Sequence, residues 1–176
     1  MNEHSFMFVT MPRSRTIPDA RVFATVQRML REGGEKAVSF ANVAAATGLA
    51  PPTLVQRYGS LSGMVHAARL DAWSRIEART VEAIAATADK GPQALIKAIG
   101  LIDVRAIAGD LRHADTAQRA NAWRVTVEAA LALRLGPGQR ARESAAMLFA
   151  AWQGQALWHP DGNGPVKLKD AVKRLT

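Results

Sequence analysis

The chain contains no cysteine and few aromatics: four tryptophans, five phenylalanines and one tyrosine in 176 residues. The lack of cysteine excludes disulfides, thiolate metal sites and cysteine nucleophiles, and is compatible with a reducing cytoplasm. No apolar run approaches the ~20 residues of a membrane-spanning helix. Met1 to Thr10 lack a basic stretch followed by an apolar one, so no signal peptide is expected. There is no glycine-rich phosphate loop of the usual spacings. The histidines, His4, His66, His113 and His159, include no pair four residues apart. His113 lies near Asp110 and Asp115, a grouping that chance explains better than a metal site does. No serine or carboxylate pair has a supporting constellation. The expectation is a protein that is not an enzyme and carries no cofactor or metal.

Hydrophobic residues make up 48% of the chain, enough for a substantial core, and the formal net charge is +8. Such a balance favours a polyanionic partner without identifying it. The excess is spread along the chain. Residues 1–60 hold seven basic and four acidic residues, and residues 61–176 hold sixteen and eleven. Net charge therefore does not locate a nucleic-acid site.

The richest local signal runs from Ser39 to Ser60. Ser39 is a good N-cap, and Phe40, Val43, Ala44 and Thr47 follow at helical spacing. Gly48 comes after the last periodic residue, where a left-handed backbone is cheap only for glycine. Leu49 plugs the corner, and Pro51 suits the first position of a new helix. On that helix, Leu54 and Tyr58 share an inward side. Pro52, Thr53, Gln56 and Arg57 lie opposite and suit contacts to base edges or phosphates. Gly59 and Ser60 end it and cap the next helix. A supporting helix is expected over about Asp19 to Glu32, with Val22, Val26, Met29 and Leu30 inward. Three short helices whose last pair forms a helix-turn-helix are the expectation for the head.

Over about residues 19–70 this pattern resembles the tetracycline-repressor-like (TetR) family of bacterial transcription regulators. Gly34, the run Ser39-Phe40, Asn42-Val43-Ala44, the turn Gly48-Leu49-Ala50 and the segment Thr53 to Ser60 carry the likeness. The resemblance implies an all-α protein: a tri-helical DNA-binding head, then a helical ligand-binding and dimerisation domain. It implies a homodimeric repressor on an inverted-repeat operator in double-stranded DNA, released by a small-molecule effector, in the bacterial cytoplasm at the nucleoid. It places Ser39, Pro52, Thr53, Gln56, Arg57 and Ser60 at DNA, with Arg13 and Arg15 of a basic arm beside them. Three positions depart from the family pattern. Val55 stands for a phosphate-binding tyrosine, Leu61 for a lysine, and Ala50 for a capping serine. An alternative therefore stands beside the first reading: a small-molecule-binding helical protein with weak or lost DNA binding.

The expected organisation is an arm over 1–16, a head over 17–60 and a second helical domain over 61–176. In the second domain, helices are expected from about Ser62 to Ala88, Gln93 to Ala108, Ala117 to Leu135 and Gln139 to Trp158. A last helix carries Leu168, Ala171, Val172 and Leu175 on one side. The Gln139–Trp158 segment has two apolar stripes, one with Ala145, Phe149 and Trp152 and one with Leu148, Ala151, Gln155 and Trp158. A helix apolar on two sides needs a partner for the second. The resemblance implies a dimer interface built by the last two helices, so Leu148, Ala151, Gln155, Leu168 and Val172 are expected there, the alternative being a monomer whose last helices cover one another. Trp73, Ile99, Trp123, Met147 and Trp152 either line a ligand pocket or form plain core.

Overall fold

In the computed structural model, residues 17–100, 102–159, 161 and 167–175 are described, and every regular element among them is helical. The order is α1 (Asp19–Gly33), a 3-10 turn (Glu35–Ala37), α2 (Phe40–Thr47), α3 (Pro51–Tyr58) and α4 (Leu61–Ala86). It continues with α5 (Pro92–Ile99), α6 (Val104–Asp110), α7 (Ala114–Leu135), α8 (Gly138–Trp158) and α9 (Leu168–Leu175). The chain is all-α, as its periodicity predicts.

Two apolar clusters hold these helices together. The first gathers Val22, Val26, Val38, Val43, Ala44, Leu54, Met64 and Ala68, from α1 to the first turns of α4. The second is built from the rest of α4 and from α5, α7 and α8 around Trp73, Leu95, Ile99, Trp123, Leu131, Leu148 and Trp152. Helix α4 serves both: its first turns bury Met64 and Ala68, and its later turns bury Trp73, Thr80 and Ala83. That division explains its length. A single helix two cores long makes a stiff connector, where a loop would make a hinge.

One expected helix is two. The segment written above as Gln93 to Ala108 ends at Ile99, because Gly100 takes φ +76°. Asp103 then restarts the chain as the N-cap of α6, its carboxylate accepting from the backbone N–H groups of Arg105 and Ala106. The break turns Ile102 into the core and delivers Asp110, the last residue of α6, to the flank of α4.

There Asp110 meets a polar hub. Trp73 donates its indole N–H to Asp110 Oδ2 at 2.8 Å, and Arg69 reaches Oδ1 at 3.2 Å. The same guanidinium holds Glu35, in the turn after α1, at 2.8 Å. The Arg69 side chain is only 12% exposed. Burial pushes the Asp110 carboxyl above its ordinary value of 3.8, while the Trp73 N–H and the Arg69 charge pull it partly back. Nearby, Gln27 of α1 donates to the Ala68 carbonyl and to Asp71, and accepts from Arg75. Along α7, His66 pairs with Asp115, and Arg119 with Glu77 and the Leu70 carbonyl.

Removing Arg69 tests the hub. Arg69→Met leaves a buried carboxylate with no cation, which costs about 3 kcal/mol near neutral pH. A raised folded-state pKa means that Asp110 contributes most below its unfolded value and loses that contribution as pH rises through the folded one. The deficit of Arg69→Met should therefore shrink on acidification, as Asp110 takes up its proton. Adding Asp110→Asn to Arg69→Met should recover most of the loss at neutral pH. Urea denaturation of the parent and the two variants across pH checks all of this.

Candidate nucleic-acid interface

Helices α2 and α3 meet across the turn Gly48–Ala50. Ser39 caps α2 by accepting from the Asn42 N–H at 3.0 Å, and the Asn42 side chain reaches back to the Ala37 carbonyl. Gly48 ends α2 in the left-handed region, at φ +80° and ψ 13°, where a Cβ is costly. Pro51 and Pro52 open α3, and Ala50 offers no side-chain acceptor to its free N–H groups. Leu54 is fully buried, and Tyr58 packs half-buried against Phe23 with ring centroids 5.8 Å apart. These two hold α3 against the rest of the head, so its outer surface follows by helical geometry. Pro51, Pro52, Val55 and Gln56 are exposed and Thr53 is half-buried.

The joint between α3 and α4 is tight. Ser60 caps α4 by accepting from the Gly63 N–H at 3.0 Å and bonds the Ser62 hydroxyl. A Cβ built on Gly63 would lie 2.5 Å from the Tyr58 carbonyl oxygen, so only glycine fits.

Arg57 departs from expectation. It lies on the edge of the outer face, and its guanidinium turns back to the start of α1. It donates to the Ile17 carbonyl at 2.7 Å and meets Asp19 at 3.4 Å. Tyr58 joins the same cluster, its hydroxyl donating to Asp19 Oδ1 at 2.5 Å. Burial, reinforced by the bond to Asp19 and its charge, raises the Tyr58 phenol from 10.0 to about 12. Arg57 and Tyr58 thus pin the point where the chain enters α1. Ser39 and Ser60 are likewise committed as helix caps. Arg13 and Arg15 lie outside the described residues. The α3 surface left over is polar at Thr53 and Gln56, apolar at Pro51, Pro52 and Val55, and poor in charge.

The five residues set down for a pocket divide. Trp73, Ile99, Trp123 and Trp152 are all buried. Trp123 sits at the centre of a ring cluster, with centroids 6.1 Å from Trp73, 5.5 Å from Phe149 and 6.2 Å from Trp152. Its indole N–H donates to Thr80 at 2.9 Å. Met147 is 59% exposed, on the other side of α8, and does not join them.

The expected interface residues divide too. Leu148 is fully buried in the chain's own core and is not available to a second copy, while Val172 of α9 is half-buried against that core. The Leu168 side chain lies outside the described residues. Ala151 is exposed and Gln155 half-buried. The unpartnered apolar surface lies elsewhere. On α8 it runs through Met147, Ala150, Ala151, Gly154 and Trp158. On α7 it runs through Ala122, Val125, Ala129 and Leu133. Leu133 is 84% and Trp158 78% exposed. Both stripes lie opposite the buried faces of their helices.

Among the described residues no group of His, Asp or Glu is arranged to hold a metal ion, and no helix is long and apolar enough to cross a membrane. Compared with known proteins, the chain matches no protein-family model and no curated protein.

The lone tyrosine makes the α1 clamp easy to follow. Near-ultraviolet absorbance should show Tyr58 ionising near pH 12 in the folded protein and near 10 once unfolded. A raised phenol pKa contributes stability in full below the unfolded value, and that contribution disappears as pH climbs through the folded one. Tyr58→Phe should cost about 1 kcal/mol near neutrality. If Tyr58 ionises normally in the native protein, the bond to Asp19 does not hold in solution.

Proposed function

We propose that the chain is a DNA-binding transcription regulator of the tetracycline-repressor-like kind, acting as a ligand-responsive repressor and not as an enzyme. The observation that carries this reading is the α2–turn–α3 unit. It is a capped helix, a left-handed glycine and a second helix anchored by Leu54, Tyr58 and the Arg57 ties to Ile17 and Asp19, with Pro52, Thr53 and Gln56 on its outer side. A helix held in that manner suits the DNA major groove, where glutamine matches an adenine edge. Two copies related by a two-fold axis, with α3 helices about one DNA turn (~34 Å) apart, would read an inverted repeat.

The proposed dimer forms through the outward stripes of α7 and α8. Large exposed apolar patches on soluble proteins mark association surfaces, and Leu133, Met147 and Trp158 are the largest side chains on these stripes. An effector would act through the second cluster, by favouring one setting of α4 over another.

A second reading keeps support from the α3 surface. Arg57 is tied to Asp19, and Val55 and Leu61 stand exposed where the resembled family carries phosphate-contacting residues. A helical ligand-binding protein with weak DNA affinity fits the same facts.

Electrophoretic shifts against duplexes from the DNA flanking its own gene separate the readings. Salt-sensitive, saturable retention supports the regulator, and retention no stronger than on random duplex supports the alternative. Sedimentation should give a dimer. Leu133→Arg combined with Trp158→Glu should give a folded monomer, since both side chains already face outward, melting below the parent only by what association contributes. A monomeric parent protein would remove the two-fold operator from the proposal.

A further inference from the structure

The α3 surface suggests which base feature it suits. Its apolar part is continuous: Pro52 and Val55 are three residues apart, Pro51 and Val55 four, so the three side chains form one patch along the helix. Val55 is 44% exposed, although Leu54 beside it is fully buried. Gln56 is exposed next to this patch, one turn after Pro52. The one cation on α3, Arg57, is held at Ile17 and Asp19. The helix therefore offers the Gln56 amide, the half-buried Thr53 hydroxyl and a strip of hydrocarbon, and no uncommitted charge.

Among the groups that base pairs display in the major groove, one is apolar: the C5-methyl of thymine. A glutamine amide matches the N6 and N7 edge of adenine. We propose that Val55, backed by Pro51 and Pro52, determines specificity by packing on a pyrimidine C5-methyl group, beside an adenine taken by Gln56. This inference rests on the DNA-binding reading above and adds to it the base that the valine selects. Guanine is disfavoured on the same grounds, because its O6 and N7 acceptors ask for an arginine or lysine that α3 does not present.

The test begins with the full-length chain and a pool of random duplexes, enriched by repeated binding and recovery. In the enriched sequence, each thymine of one half-site is replaced in turn by deoxyuridine, which removes only the methyl group. At one position affinity should fall about fourfold, the effect of withdrawing one buried methyl group from a contact. At that position 5-methylcytosine should bind better than cytosine by a similar ratio. Val55→Ala should bind the thymine and deoxyuridine duplexes alike and melt at the parent temperature. Gln56→Ala should keep the methyl effect while losing preference at the neighbouring pair. If no position responds to methyl removal, or if the response survives Val55→Ala, this inference is overturned and DNA binding stands. If no duplex is enriched at all, the DNA-binding reading falls, and this inference with it.

Discussion

Arg69 is the interaction on which the arrangement turns. One guanidinium, nearly buried, is shared between Glu35 beside the head helices and Asp110 at the end of α6. A charge withdrawn from water must be matched by partners in good geometry, and here the partners are the exposed Glu35 of the turn after α1 and the buried Asp110 at the end of α6. Trp73 completes the set by donating to the second carboxylate oxygen. Both ends of the hub are positioned by breaks in the chain: the turn after α1 presents Glu35, and the restart at Asp103 brings α6 to α4. Burial raises the Asp110 carboxyl above its ordinary value, and the Trp73 N–H and the Arg69 charge offset part of that rise.

The head shows how commitments made inside a protein shape what it shows outside. Arg57 and Tyr58 are the polar end of α3, and both are used to fix the start of α1. Ser39 and Ser60 serve their own helices. What remains for a partner is small, short-ranged and largely uncharged. Under the DNA-binding proposal, affinity would come from elsewhere in a chain with a net charge of +8, and α3 would supply discrimination.

Much of the architecture was legible in the sequence, because helical periodicity and end signals are local. The buried faces of α1, α2, α3 and α7, the Ser39 and Ser60 caps and the Gly48 turn follow from spacing and residue type. The α5–α6 break was legible in principle, since Gly100 followed by Asp103 is a stop and a new cap. What spacing cannot give is the partner of a face. Leu148 and Trp158 lie on one apolar stripe of α8, yet the first is in the core and the second outside, because neighbouring helices cover only part of its length. Met147 failed because it lies on the side of α8 turned away from the buried Ala145 and Leu148. Arg57 failed for another: its partners, Ile17 and Asp19, lie about forty positions away in the chain, and a long side chain reaches well past the direction its helix assigns it.

The contact at Gly63 has a mechanical consequence. With the Tyr58 carbonyl where a side chain would stand, the end of α3 and the start of α4 approach as closely as a glycine allows. They form one bent lever. The long arm is the 26-residue α4, ~39 Å from end to end. A tilt of about 5° at its far end would carry the tip about 3 Å. The ring cluster around Trp123 grips the long arm near its middle and far turns, and the short arm bears Val55 and Gln56. Small rearrangements among these tilted and edge-on rings would thereby be carried along α4 toward the outer face of α3.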